Sequence, residues 1–208
     1  MHSAQSVVHP CESVAKKTEN PKPPLVIFTI GHSTHLLDKF IRLLQAHGVK
    51  RLVDVRTVPR SRHNPQFNRD TLPAALRQAR IFYTHLGELG GLRHPRKDSP
   101  NTGWRNAGFR GYADYMQTPK FEKALGKLLE LAAKKRVAIM CAEAVPWRCH
   151  RSLIADALAV RDIQVEHITG PTRRQPHTLT PFARVVGRQL IYPANATPSL
   201  PGLDNAVK

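Results

Sequence analysis

The sequence has few acidic residues, few cysteines and no long apolar segment. Lysine and arginine outnumber aspartate and glutamate by 32 to 15, which gives the 208-residue chain a formal charge of +17. This excess favours polyanionic partners such as nucleic acid, nucleotides or an anionic surface. No apolar run approaches the roughly 20 residues of a membrane-spanning helix, and the N-terminus lacks the apolar stretch of a signal peptide. We therefore expect a cytoplasmic protein with no membrane partner.

The three cysteines, Cys11, Cys141 and Cys149, are too few and too unevenly spaced for a disulfide framework, so we expect reduced thiols. The two ends of the chain lack hydrophobic periodicity. Residues 1–24 end in a proline-rich stretch and are predicted to be a disordered leader, and residues 194–208 are predicted to be a flexible tail. The remaining residues, 25–193, are predicted to form a single α/β domain.

Short apolar runs alternate with helical periodicity inside this domain, which is typical of a parallel sheet covered by helices. Gly187 lies between two short β-prone runs and predicts a small C-terminal hairpin. The expected fold is a three-layer α/β domain with a mainly parallel sheet and helices on both faces. The predicted strands are 25–30, 51–55, 81–86, 136–141 and 163–168, and the predicted helices are 36–48, 71–79, 120–135 and 152–160.

Polar residues follow the predicted strands, at the edge where ligands bind in open parallel sheets. Because the carboxyl ends of parallel strands meet at one edge, these side chains are expected to form a common site. They are His32, Ser33, Asp54, Arg56, His85 and Cys141.

Five segments of the sequence resemble one known family. They are "TIGHST", "LVDVRTVPRSRHNPQF", "YTHLGELGGLR", "GFRGYADYM" and "CAEAVPWRCHRSLIADAL". Together they resemble the domain of unknown function 488 family, and the combination is more specific than any one of them. The resemblance implies a compact α/β fold and a site built around the Cys-Ala-Glu and Cys-His-Arg elements. It implies no established reaction.

The segment after the fourth strand allows a thiol nucleophile. A helix N-terminus and Arg148 or Arg151 would lower the pKa of Cys141, as in cysteine phosphatases and sulfurtransferases. However, six residues separate Cys141 from Arg148 instead of the five of a phosphatase loop, and bulky residues replace the glycines that would bind phosphate. The alternative is that Cys141 is a small buried hydrophobic residue at a strand end.

A metal site is disfavoured by spacing. Cys141 and Cys149 are separated by seven residues, and adjacent residues such as Cys149 and His150 rarely direct their ligand atoms at one ion. We therefore expect no metal and no cofactor, and a Cys141 thiol that is less reactive than a catalytic nucleophile.

Carboxylates offer a third chemistry. Asp54, Glu88 and Glu143 lie near the expected site and could act as a general base or orient an arginine. Asp54 lies on its strand, where an ion pair with Arg56 that organises the loop is an alternative to catalysis. We predict that Glu143 is the acid/base group. The full set of candidate catalytic residues is Glu143, His150, Cys141 and Asp54.

Basic residues mixed with aromatic residues follow the second and third strands, a pattern that suits phosphates and stacked bases. The alternative is a solvated basic surface. The predicted substrate-binding residues are His32, Ser33, Arg56, Arg60, Arg62, His85, Arg93 and Arg151.

Two functions remain open from the sequence. The first is an enzyme, a hydrolase or group transferase, that acts on a nucleotide, a nucleic acid or a phosphorylated small molecule in a basic cleft. The second is a non-catalytic nucleic-acid-binding module. An enzyme should place Glu143, His150 and at least one arginine in a common cleft, whereas a binding module should bury them and present a flat basic face.

Overall fold

Five parallel strands form the centre of the protein in the computed structural model, which describes residues 24–194. The strands are β1 (Val26–Gly31), β2 (Arg51–Asp54), β3 (Phe82–His85), β4 (Val137–Cys141), β5 (Gln164–Ile168), β6 (Arg174–Pro176), β7 (Arg184–Val186) and β8 (Gln189–Ile191). The hydrogen-bonded order of the sheet is β3-β2-β4-β1-β5-β6, in which β6 runs antiparallel to β5 and the other neighbours are parallel. A separate hairpin pairs β7 with β8.

Five helices cover both faces of this sheet and make two separate apolar cores. They are α1 (Leu37–Ala46), α2 (Leu72–Gln78), α3 (Ala107–Met116), α4 (Pro119–Lys134) and α5 (Arg151–Ala159). Alternate strand residues point to opposite faces, so Ile27 of β1 packs with α3, α4 and α5, whereas Phe28 packs with α1 and α2. The predicted three-layer α/β fold with a small C-terminal hairpin is confirmed.

Two elements were not predicted from the sequence. Helix α3 begins after Asn106, whose side chain accepts hydrogen bonds from the backbone N–H groups of Gly108 and Phe109. Its two glycines conceal the helical pattern in the sequence. Strand β6 contains a proline, which is tolerated because the strand lies at the edge of the sheet. The predicted leader and tail lie outside the described residues, apart from residues 24 and 194 at their borders.

None of the helices within residues 24–194 combines the length and the apolar character that crossing a membrane requires.

A chain of buried hydrogen bonds ties β1, β5 and α5 together. The Thr29 hydroxyl lies 2.7 Å from His167 Nδ1, and His167 Nε2 lies 3.1 Å from His177 Nδ1. His177 Nε2 donates to the Asp156 carboxylate at 2.8 Å. One ring must accept the hydrogen bond between the two imidazoles, so both rings cannot carry a proton on each nitrogen at the same time. Protonation of the buried His167 is therefore disfavoured.

We expect the free energy of unfolding to fall as the pH is lowered from about 6.5 to about 4. Burial, followed by the charges of His177 and Arg151, lowers the pKa of His167 to about 4 from its ordinary value of 6.5. The unfolded chain therefore takes up a proton at a higher pH than the folded protein, so acid favours unfolding in this window. The cost is up to about 1.4 kcal/mol per pH unit. Urea unfolding at a series of pH values measures it.

His167→Gln should be less stable at pH 7.5 but should lose less additional stability on acidification. The exposed His63 provides the matched control, because His63→Gln should keep the pH slope of the parent protein. Equal slopes in the parent and His167→Gln proteins would show that His167 does not cause the acid sensitivity.

Candidate active site

A pocket of about 410 Å³ opens at the carboxyl edge of the sheet, where β1, β2 and β4 end. Its lining combines three kinds of side chain. Reactive or titratable groups are Cys141, Glu143, Cys149, His150 and His32; cations are Arg56, Arg60 and Arg148; apolar groups are Val58, Leu92 and Phe109. The topology explains the convergence, because the loops after neighbouring parallel strands leave the sheet on the same side.

Two thiols and one imidazole meet on one wall of this pocket. Cys149 Sγ lies 3.6 Å from His150 Nδ1, and Cys141 Sγ lies 3.9 Å from the same nitrogen. The three ligand atoms all lie within 4.8 Å of one another. The chain between the cysteines folds back through a short 3-10 turn, Pro146–Arg148, in which the Cys149 N–H donates to the Pro146 carbonyl. This return places Cys149 beside Cys141.

The His150 ring is held in one orientation. Its Nε2 lies 3.1 Å from the Val55 carbonyl oxygen, and a carbonyl only accepts, so Nε2 carries the proton and donates. In the neutral ring, Nδ1 is therefore a lone pair directed at the two sulfurs. The ring packs against Tyr112, and a Cβ at Gly91 would lie only 2.5 Å from Nδ1. Glycine at position 91 is therefore required for His150 to occupy this place.

The two thiols influence each other's ionisation. A hydrogen bond from the Cys141 thiol, together with the nearby His150 and Arg151, lowers the pKa of Cys149 against the opposing effect of burial. The same hydrogen bond and burial raise the pKa of Cys141. Cys149 is therefore the thiol that ionises first, although sequence analysis placed Cys141 among the catalytic candidates and left Cys149 out.

Asp54 and Arg56 form a buried ion pair at the end of β2. Both guanidinium nitrogens that face Asp54 donate to its carboxylate, at 2.9 and 2.6 Å, and Tyr83 donates to the same carboxylate at 2.8 Å. Burial alone would lower the pKa of Arg56, but its bonds to Asp54 raise it above the ordinary value. Arg56 also donates to the Phe67 carbonyl at 2.6 Å, which fixes the loop after β2. Asp54 is fully buried and does not line the pocket.

His32 connects this pair to the pocket. Arg56 Nη1 donates to His32 Nε2 at 3.2 Å, and His32 Nδ1 donates to the Ser33 carbonyl at 2.9 Å. Burial, together with the charge of Arg56, lowers the pKa of His32. The ring stacks on Phe67 with centroids 4.4 Å apart. The uncharged His32 ring therefore forms part of the pocket wall.

Arg151 and Gly31 fix the loop that carries Glu143. The guanidinium of Arg151, which is almost fully buried, donates to the Glu143 carbonyl and to the Thr29 hydroxyl. A Cβ at Gly31 would lie 1.9 Å from the Glu143 carbonyl oxygen, so only glycine allows β1 and this loop to approach so closely. These contacts use the backbone of Glu143 and leave its side chain exposed.

The pocket includes half of the residues that the sequence analysis singled out. Those that line it are Cys141, Glu143, His150, His32, Arg56 and Arg60; those that do not are Asp54, Ser33, Arg62, His85, Arg93 and Arg151. Some of the second group have clear structural roles. His85 donates to the Arg56 carbonyl at 2.8 Å, and the Arg93 guanidinium lies over the Tyr115 ring at 3.7 Å. Ser33 has a φ of 46° and donates its N–H to the Ala142 carbonyl.

Several lining residues were missing from the sequence-based site, among them Cys149, Arg148, Asn106 and Phe109. Cys149 and Arg148 lie in the segment after the fourth strand, and the return of the chain through the 3-10 turn brings them to the pocket. Asn106 belongs to the unpredicted start of α3. The adjacent residues Cys149 and His150 direct their ligand atoms toward one region, contrary to the expectation from their spacing.

The fold and the pocket define an α/β protein with a candidate site at the carboxyl edge of a parallel sheet. The family model described as "Domain of unknown function DUF488" matches residues 36–158, which is more than half of the chain. The protein belongs to this family, as the sequence segments indicated. The match spans α1 to α5 and includes both pocket cysteines and His150. Searches of curated proteins and of solved structures gave no match.

Proposed function

We propose that the protein is an enzyme that hydrolyses, or transfers a group from, a nucleotide-sized anionic substrate in this pocket. The observation that carries the proposal is that Glu143, His150 and arginine side chains line one common cavity. This is the arrangement that distinguishes an enzyme from a binding module in which the same groups are buried and satisfied by one another.

Two arginines supply the positive charge for a substrate. Arg60 and Arg148 are exposed, and within residues 24–194 neither guanidinium has a hydrogen bond or ion pair. Arg56 differs, because Asp54 compensates its charge. The N-terminus of α3 also reaches the pocket through Asn106 and Gly108, and a helix N-terminus favours an anion. These features support a phosphate-bearing substrate.

The rest of the pocket is suited to an apolar or aromatic group. Val58 is 60% exposed and Leu92 is 73% exposed at the pocket, and Phe109 stacks on Trp104 with centroids 4.8 Å apart. Exposed apolar side chains beside unpaired cations are consistent with a base next to a phosphate. A volume of about 410 Å³ is suitable for one nucleotide. A nucleic acid substrate would therefore insert a single nucleotide.

Replacing both Arg60 and Arg148 with alanine is expected to weaken nucleoside monophosphate binding. Loss of charge-assisted hydrogen bonds to a phosphate should raise the Kd by roughly 10- to 100-fold. Titration calorimetry with the four common ribonucleoside monophosphates measures the change. Arg62→Ala is the matched control, because Arg62 is an exposed arginine of the same loop that does not line the pocket, and its Kd should stay near that of the parent protein.

The non-catalytic module would be supported instead if the protein bound long oligonucleotides but no monophosphates. In that case the Arg62 variant and the double variant should lose equal amounts of oligonucleotide affinity. The reaction itself is tested by incubating the best-binding nucleotide with the protein and measuring released phosphate, base and ammonia. Release that depends on Arg60 and Arg148 supports the enzyme. Binding without any such product would contradict it.

A further inference from the structure

Two cysteine sulfurs and one histidine nitrogen, each able to donate an electron pair to a metal ion, converge in the pocket. The Cys141 and Cys149 sulfurs and His150 Nδ1 all lie within 4.8 Å of one another. From these positions we infer that the three residues bind a zinc ion whose fourth coordination position opens into the pocket.

The distances fit a tetrahedral ion. Bonds of about 2.3 Å from zinc to sulfur and about 2.0–2.1 Å from zinc to nitrogen set a sulfur-to-nitrogen separation of about 3.5 Å in a tetrahedron. The two separations in the protein are 3.6 Å for Cys149 and 3.9 Å for Cys141. The two sulfurs lie within 4.8 Å of each other, against about 3.8 Å in a tetrahedral site, so a shift of up to about 1 Å by the sulfurs completes the geometry. Two thiolates and an imidazole are also the ligand types that zinc prefers.

His150 is already prepared as a ligand. Its Nε2–H donates to the Val55 carbonyl, so the lone pair of the neutral ring is at Nδ1 and faces both sulfurs. A backbone carbonyl that holds the remote ring nitrogen is a common feature of zinc-binding histidines, because it fixes the tautomer and the ring orientation. Gly91 leaves the space beside Nδ1 free of a side chain.

The number of ligands points to a reactive site. Structural zinc is held by four protein ligands, whereas catalytic zinc has three and keeps one position for water or substrate. Within residues 24–194, the ligand cluster contains these three residues and no fourth histidine, cysteine or carboxylate. All three line the pocket, as does Glu143. The open position therefore faces the space assigned to the substrate.

The chemical role of the ion rests on the proposed function, although zinc binding itself does not. A zinc-bound water would lose one proton to the Glu143 carboxylate, and the resulting hydroxide would form a bond to the electrophilic carbon or phosphorus of the substrate. The bond to the leaving group then breaks, and that group departs with its electron pair and the proton from Glu143. The step consumes one water and needs no oxidant or reductant, so it selects hydrolysis over group transfer.

Zinc binding is tested on the untagged full chain after removal of metal with a chelator and dialysis under reducing conditions. Addition of Zn²⁺ should give one ion per chain by mass spectrometry of the metal. Addition of Co²⁺ should give the absorption of tetrahedral cobalt together with a thiolate-to-cobalt charge-transfer band. Zn²⁺ should also slow alkylation of the thiols of Cys141 and Cys149 in the unaltered protein, a measurement that requires no variant to fold.

Cys141→Ser, Cys149→Ser and His150→Gln should each lower zinc affinity by at least tenfold. Cys11→Ser is the matched thiol control and His63→Gln the matched imidazole control, and both should keep one zinc per chain. Loss of zinc from Cys11→Ser would contradict the open fourth position. Equal zinc affinity in all variants would overturn the site. So would a disulfide between the two thiols in the freshly isolated protein, if reduction of that disulfide gave no zinc uptake.

The two proposals fail in different ways. Nucleotide binding that depends on Arg60 and Arg148 but no stoichiometric zinc would overturn the metal site and leave the proposed function standing. Stoichiometric zinc that needs Cys141, Cys149 and His150 but no nucleotide binding would overturn the proposed function and support the metal site.

Discussion

Asp54→Asn is expected to destabilise the protein by about 3–5 kcal/mol, because it leaves a buried guanidinium without its counter-charge. Asp54 is fully buried and Arg56 is 6% exposed, so water cannot replace the lost carboxylate. The change also weakens the hydrogen bond from Tyr83 and the backbone bond from the Arg56 N–H to Asp54. Urea unfolding of the parent protein and the variant, with equal slopes, gives the difference in the free energy of unfolding.

Glu122→Gln is the matched control for this charge loss. Glu122 accepts two hydrogen bonds from Arg161, at 2.6 and 2.8 Å, but its side chain is half exposed. An ion pair open to water contributes only about 0–1 kcal/mol, so this variant should unfold close to the parent protein. If Asp54→Asn and Glu122→Gln lose similar amounts of stability, burial is not what makes the Asp54–Arg56 pair important.

The same ion pair explains why part of the site could not be predicted from the sequence. Arg56 follows a strand in a basic loop, and this position suggests a free cation for substrate. The neighbouring Asp54 points to the alternative, since an aspartate inside a buried strand needs a partner. The sequence contains both signals, and burial decides between them. Asp54 compensates the charge of Arg56, which leaves Arg60 and Arg148 as pocket cations that pair with no other side chain within residues 24–194.

The five parallel strands and four of the helices could be predicted because their patterns are local. Strands β1 and β4 are short apolar runs, and α1 buries Phe40, Leu43 and Leu44 on one face, as the helical period requires. Helix α3 lacks this signal because glycine and polar residues interrupt its pattern. It is stabilised instead by the Asn106 cap and by tertiary packing of Tyr112 and Met116.

The cysteine and histidine cluster depends on long-range geometry. The seven residues between Cys141 and Cys149 suggest that the two thiols are too far apart to bind one metal ion. That inference holds only if the intervening segment is extended or regular. The 3-10 turn at Pro146–Arg148 reverses the chain, and the helix that follows directs His150 back toward the strand end. Pro146, three residues before the second cysteine, is a local hint of such a reversal.

Glu143→Gln is expected to lower kcat/KM for the nucleotide substrate by about 100- to 10,000-fold while leaving stability and substrate affinity close to those of the parent protein. The contacts that fix this loop use the backbone of Glu143, and the carboxylate has no hydrogen bond within residues 24–194. Glutamine keeps the size of the side chain and its backbone contacts but cannot take up a proton. The loss should therefore fall on kcat, with the melting temperature unchanged.

The measurement compares single-turnover rates of the parent protein and Glu143→Gln on the nucleotide that binds best in calorimetry. Glu88→Gln is the matched control. Glu88 follows β3, its exposed carboxylate pairs with Lys127, and it does not line this pocket. It should leave the rate unchanged. A Glu143→Gln protein with the parent rate would remove this carboxylate from the mechanism. A parallel fall in melting temperature and nucleotide affinity would mean that the Glu143 side chain supports the loop. Loss of an exposed proton acceptor alone should change neither quantity.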